Sequence, residues 1–208
     1  MERVDLVVPV KRLAAAKTRL RDPAGEPTAH TRLALALTLD TVAAARTALR
    51  VRTVLVVTAD RTVAAVLAAS GIEVADDPLV GLNAAYDRGA QLLRERDPHP
   101  AVGALQADLP ALRPAELDAA IAAALATGAR AFTADAEGTG TTFLLAASGA
   151  ALEPRFGGGS AVRHRASGAV PLDGAWPSLR RDVDTAADLA AALHLGVGAH
   201  TRAALARV

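Results

Sequence analysis

The chain has 208 residues, 51% of them hydrophobic and 22% charged, enough for one compact unit with a large core and too apolar for general disorder. Net charge is +1, from 23 basic and 22 acidic residues, which argues against a nucleic-acid binder, whose footprint would be strongly basic. With no cysteine, disulfides, thiolate metal sites and Cys nucleophiles are excluded.

In chain order, Val4–Val10 reads as a buried strand, continuous in Val and Leu rather than alternating. The N-terminus before it has neither a basic region nor a long apolar one, so no signal peptide is expected. Thr28–Leu49 carries apolar residues at helical spacing after Pro27, with Thr28 as its expected N-cap. Thr53–Thr58 is a second buried strand, Arg61–Ala69 a helix ended by Gly71, Ile72–Ala75 a short strand and Asn83–Arg96 a helix. Val102–Gln106 is a fourth strand, and Pro114 opens an Ala-rich helix to Ala126. Strand and helix in alternation imply a parallel sheet with helices on both faces. The second half differs: Ala131–Thr133, Thr141–Ala146 and Ala169–Pro171 read as short strands between Gly-rich turns, with helices at Ser160–Ser167 and Thr185–Leu195. The expected fold is α/β, a Rossmann-like half and a mixed half within a single domain, 1–208. No uncharged apolar run reaches the ~18 residues a membrane span needs, so a cytoplasmic protein without membrane partners is expected.

In an open parallel sheet, ligands bind beyond the carboxyl ends of the strands, which singles out the residues that follow each one. After the first strand, Lys11, Arg12, Lys17 and Arg19 place four cations on one loop. Two readings stand: a loop that neutralises triphosphate and pyrophosphate charge, or a solvated basic loop. Neither a Walker A pattern nor, at this turn, G-x-G-x-x-G is present, which disfavours P-loop NTPases and dinucleotide-dependent redox enzymes. After the fourth strand, Asp108-Leu109-Pro110 presents a carboxylate suited to Mg²⁺, or else a turn Asp. Far downstream, Asp182 and Asp184 fall on one side of an extended segment, and Thr185 is placed to cap the following helix. Gly157-Gly158-Gly159-Ser160 opens into a helix rich in basic residues, which suits an anion, although a glycine run is equally a flexible connection.

Several of these segments together resemble a known family. Val8-Pro9-Val10-Lys11 with Lys17-Thr18-Arg19-Leu20, Gly81-Leu82-Asn83, Ala107-Asp108-Leu109-Pro110, Gly140-Thr141-Thr142, Phe156-Gly157-Gly158-Gly159-Ser160 and Asp182-Val183-Asp184-Thr185 are similar to the guanylyltransferases of coenzyme F-420 biosynthesis. That family joins GMP from GTP to phosphoenolpyruvate or 2-phospho-L-lactate and has the GT-A-like nucleotidyltransferase fold. The resemblance spans essentially the whole chain. It implies that the loop from Pro9 and Val10 through Lys11, Lys17 and Arg19 wraps the nucleotide, with Lys17 and Arg19 on its phosphates. It implies that Asp76, Gly81, Leu82 and Asn83 lie near base and ribose, and that Asp108 with Asp182 or Asp184 holds Mg²⁺. It implies that Thr142, Gly157 and Ser160 bind the acid, chiefly through its carboxylate. Lys17, Arg19 and Asp108 are the expected catalytic residues. Phosphoenolpyruvate is the favoured acceptor on the GC-rich, bacterial character of the composition. 2-Phospho-L-lactate, a 3-phosphoglycerate-like acid, a different cofactor acceptor and a non-catalytic nucleotide-binding domain remain as alternatives. The chain is expected to be a monomer or a homodimer.

Overall fold

The structure is a computed structural model that describes residues 1–13 and 27–206. In chain order its elements are β1 (Val4–Val10), α1 (Pro27–Thr47), β2 (Val51–Thr58), α2 (Arg61–Ala69), β3 (Glu73–Asp76), α3 (Leu82–Arg96), β4 (Val102–Leu105), α4 (Pro114–Ala126), β5 (Ala131–Ala134), β6 (Thr141–Ala146), α5 (Ser160–Ala166), β7 (Val170–Pro171), α6 (Pro177–Arg180), α7 (Ala186–Leu195) and α8 (Ala199–Leu205). Thr28, the expected N-cap, falls within the described range of α1.

Seven strands form one sheet in the order β3-β2-β1-β4-β6-β5-β7. β1 is parallel to β2 and β4, and β2 to β3, while β6 is antiparallel to both β4 and β5. β5 therefore runs in the direction of β4, and its parallel pairing with β7 leaves β6 as the one reversed strand among these seven. Every residue of β1 is buried, because helices cover both faces. Leu6 and Val8 face the side packed by α1, α2 and α4, and Val7 the side packed by α3 and α5. Helix α3 comes so close to β1 that a Cβ at Gly89 would overlap Val7 Cγ1.

Two helices had no counterpart in the sequence pattern. α6 is a four-residue turn whose Ser178 N–H and hydroxyl both donate to Glu116 Oε2, at 2.8 Å each. α8 takes its N-terminal partner from α1: Asp40 accepts from the His200 N–H (3.0 Å) and the Thr201 N–H (2.8 Å). Such a cap comes from 160 residues away and leaves no local signature. Among the described residues no helix is long and apolar enough to cross a membrane.

Candidate active site

A cleft of about 480 Å³ opens along the carboxyl edge of the sheet, within the size range of small-molecule sites. The end of β1 contributes Pro9, Val10 and Lys11, the end of β4 Gln106, Ala107 and Asp108, and the end of β5 Asp135. Because β6 runs the other way, its first residue, Thr141, and the turn before it, Thr139 and Gly140, arrive at the same edge. Leu82 of α3, Thr38 of α1, Gly157–Ser160, Asp182 and Asp184 complete the lining.

Each wall is held by identifiable bonds. Where β1 meets the cationic loop, the Thr58 hydroxyl donates to the Val10 carbonyl at 2.7 Å and the Leu13 N–H donates to Asp60 Oδ2 at 2.9 Å. Asp60 also caps α2 through the Thr62 and Val63 N–H groups. Its burial works to raise its pKa, but the hydrogen bonds from Leu13, Val63 and Thr62 outweigh this and hold it below the usual carboxylate range. Lys11 is exposed on this wall; Lys17 and Arg19 lie outside the described residues.

Asp108 is set by its neighbours. The Leu109 N–H donates to the Thr41 hydroxyl (2.9 Å), the Gly198 N–H to the Pro110 carbonyl, and the Val183 N–H to the Asp108 carbonyl at 3.1 Å. That last bond ties the two acidic segments together. Val183 is fully buried, so its flanking residues Asp182 and Asp184 turn outward together and both line the cleft. The segment ends in a capping box in which Thr185 accepts from the Asp188 N–H and Asp188 accepts from the Thr185 N–H. Burial works to raise the Asp188 pKa, yet the Thr185 and Asp184 bonds and Arg181 bring it below its ordinary value.

A fourth carboxylate belongs to this site. Ligand oxygens of Asp135, Glu137 and Asp182 lie within 4.8 Å of one another, and Asp135 lines the cleft with Asp108, Asp182 and Asp184. Asp135 accepts from the Thr139 N–H (2.8 Å) and the Gly140 N–H (2.7 Å), and Glu137 pairs with Arg181 at 2.7 Å. Asp135 was missed in the sequence although it follows a strand as Asp108 does; the rule of carboxyl ends selects it once β5 is known to run with β4.

The glycine segment packs on aromatic rings. Phe156 stacks on Tyr86 at 4.3 Å between centroids and meets His164 edge-on at 5.1 Å. Gly157 (φ 117°) and Gly159 (φ 69°) adopt left-handed backbone that disfavours any side chain. Ser160 is buried, and its N–H donates to the Gly157 carbonyl. Helix α5 beyond it has seven residues.

Of the residues expected around base, ribose and acid, Leu82, Gly157 and Ser160 line the cleft. Gly81 caps α3 from outside the lining, and Asp76 is exposed at the end of β3. Asn83 is engaged with protein: its Oδ1 accepts from the Phe156 N–H at 2.8 Å and its Nδ2 donates to the Phe156 carbonyl at 3.3 Å. Its amide thus fastens the glycine segment to α3. Thr142 is fully buried, with its hydroxyl 3.5 Å from the Thr133 carbonyl; its neighbour Thr141 is the one that lines the cleft.

A family profile described as "Guanylyl transferase CofC like" matches residues 4–208. The chain is 56% identical over 205 residues to a phosphoenolpyruvate guanylyltransferase of Geodermatophilus obscurus, covering 96% of this chain and 93% of that protein. It is 54% identical over 209 residues to one of Streptomyces scabiei, covering 98% and 96%. Among solved structures it is similar to a 4-diphosphocytidyl-2C-methyl-D-erythritol synthase, with TM-score 0.65 at 12% identity over 94% of this chain and 99% of that one. It is also similar to a CMP:2-keto-3-deoxy-manno-octonic acid synthetase in complex with CTP, with TM-score 0.57 at 14% identity over 93% and 98%. At those identities the structural likeness speaks for the fold alone.

Proposed function

The chain belongs to the CofC-like guanylyl transferase family, and from that premise we propose that it moves GMP from GTP onto phosphoenolpyruvate, releasing pyrophosphate, as a step of coenzyme F-420 biosynthesis. The observation that carries the reading is one cleft that joins the start of a cationic loop, a row of aspartates and a glycine segment. The whole chain, 1–208, acts as a single nucleotidyltransferase domain in this reading.

GTP occupies the end formed by Pro9, Val10, Lys11 and Leu82, with Lys17 and Arg19 on its phosphates, and Asp76, Gly81 and Asn83 on the base and ribose side. The acid occupies the end formed by Gly157, Ser160 and the start of β6. There the Thr142 side chain is fully buried, so contact with the acid falls to the backbone at this position and to Thr141. Asp108 with Asp182 or Asp184 would hold Mg²⁺, and an all-oxygen donor set lining a cleft for phosphates fits that ion. When bound, Mg²⁺ supplies positive charge beside the phosphates.

Chemically, a phosphate oxygen of the acid attacks the α-phosphorus of GTP in line. The bond from the α-phosphorus to the bridging oxygen breaks, and pyrophosphate leaves with the electron pair. A phosphate monoester is already anionic at neutral pH, so the step needs no strong general base. Its barrier is repulsion between two anions, and Lys11, Lys17 and Arg19 lower it by neutralising charge and fixing the approach.

Pyrophosphate release from the purified chain with GTP and Mg²⁺ tests this. Release with phosphoenolpyruvate, and none with GTP alone, is expected; release only with 2-phospho-L-lactate would reassign the acceptor. Silence with both acids, even with a downstream enzyme consuming the product, would overturn the acceptor class. Asp108→Asn is expected to abolish turnover while leaving the unfolding transition in place, and near-full activity in that variant would remove Asp108 from the reaction.

A further inference from the structure

His164 stands outside the roles assigned so far, yet it is fully buried and bonded at both ring nitrogens. Its Nε2 is 2.9 Å from the Arg155 backbone nitrogen, which can only donate, so Nε2 carries a lone pair. The ring proton therefore sits on Nδ1 and is donated to Thr141 Oγ1, 2.9 Å away. An imidazolium would set two N–H groups against each other at Arg155. Burial, then Arg130, Arg163 and Arg155, bring its pKa down to about 4, against a bond to the Ser160 backbone that works to raise it. Phe156, edge-on at 5.1 Å, and Phe132, tilted at 5.7 Å, fix the plane of the ring.

The consequence lies at Thr141. A hydroxyl that accepts on one side has its own proton to give elsewhere, and no acceptor for that proton is present among the described residues. Thr141 lines the cleft, between the Asp135 turn and the glycine segment, and a nearly buried hydroxyl proton wants a partner. We propose that His164 is a positioning residue for the acceptor: held as its Nδ1–H tautomer, it turns the Thr141 hydroxyl into a donor aimed at an anionic oxygen of the phosphorylated acid. The same ring fastens the Arg155–Gly159 segment to the start of β6, so one side chain sets both walls of that end of the cleft. This inference rests on the reading of the cleft as a guanylyltransferase site.

Steady-state kinetics with GTP, Mg²⁺ and phosphoenolpyruvate decide it. A hydrogen bond to a charged group is strong enough that Thr141→Val should raise the KM for phosphoenolpyruvate roughly ten- to a hundredfold, with the KM for GTP unchanged. Thr141→Ser, which keeps the hydroxyl, should restore it. His164→Asn keeps a donor at the Nδ1 position but loses the acceptor for the Arg155 N–H, and should raise that KM less than His164→Gln. His164→Gln loses that donor and should raise the same KM, with no further increase when combined with Thr141→Val. A KM for phosphoenolpyruvate in Thr141→Val that matches the wild type would overturn the proposal, as would independent, multiplying effects of His164→Gln and Thr141→Val. If the His164 variants fail to fold, the Thr141 Val and Ser pair decides by itself. Failure of the wild type to turn over with any phosphorylated acid is a different result: it removes the functional reading and this inference with it.

Discussion

Acidification is expected to act on this protein through His164. Its pKa falls from an ordinary 6.5 to about 4 in the fold, so the folded state resists a proton that the unfolded chain accepts. A pKa lowered by folding gives stability that is intact above the unfolded value and is lost as pH falls towards the folded one. The window is therefore pH 6.5 down to about 4. At about 1.4 kcal/mol per unit, the full loss is about 3 kcal/mol, a large share of a typical stability of about 5–15 kcal/mol. Asp60 and Asp188, whose pKa values are lowered, also lose stability on acidification, so the wild-type curve alone does not isolate the histidine. Urea unfolding of the wild type and His164→Gln across this window does, because the aspartate contributions are common to both and cancel. The advantage of the wild type over the variant should shrink by about 3 kcal/mol between neutral pH and pH 4. An advantage independent of pH would show that the imidazole is not held neutral, and would refute the reasoning from its burial and its three arginine neighbours.

Other outcomes follow from packing and capping. Gly89→Ala forces a methyl group into Val7 and should cost about 1–3 kcal/mol, read as a lower urea midpoint at an unchanged slope. Thr185→Ala removes one half of the α7 capping box and should cost about 0.5–2 kcal/mol in the same measurement. Asn83→Leu breaks two bonds to the Phe156 backbone. It should raise the KM for the acid while leaving the preference for GTP over ATP intact; a collapse of that preference would instead make Asn83 a reader of the base.

Much of the first half was legible because its periodicities are local. β1 is apolar at every position but Asp5 and is covered by helices on both faces, and α2 and α4 stand at the residues their caps and apolar spacing indicate. Asp182 and Asp184 share a side because alternation is a property of an extended chain, and Val183 between them points into the core. The same local logic was silent on Asp135, since nothing near it reveals that β5 runs parallel to β4 across a reversed β6. The family resemblance, not local pattern, implied Thr142 for the acid; the register of β6 buries its side chain and brings Thr141 to the cleft lining.

The order of apolar and polar residues thus determined which segments are strands and helices, that the sheet is mostly parallel, and which loops gather at its carboxyl edge. Only the tertiary structure decided which side chains meet there. His164 looks in sequence like one more basic residue after a glycine run, and Asn83 like an amide at a helix start. Their roles come from partners at Arg155, Thr141 and Phe156, on other elements of the fold. Hydrogen-bond partners and proton positions depend on distances between segments remote in the chain, and no periodicity along the chain encodes them.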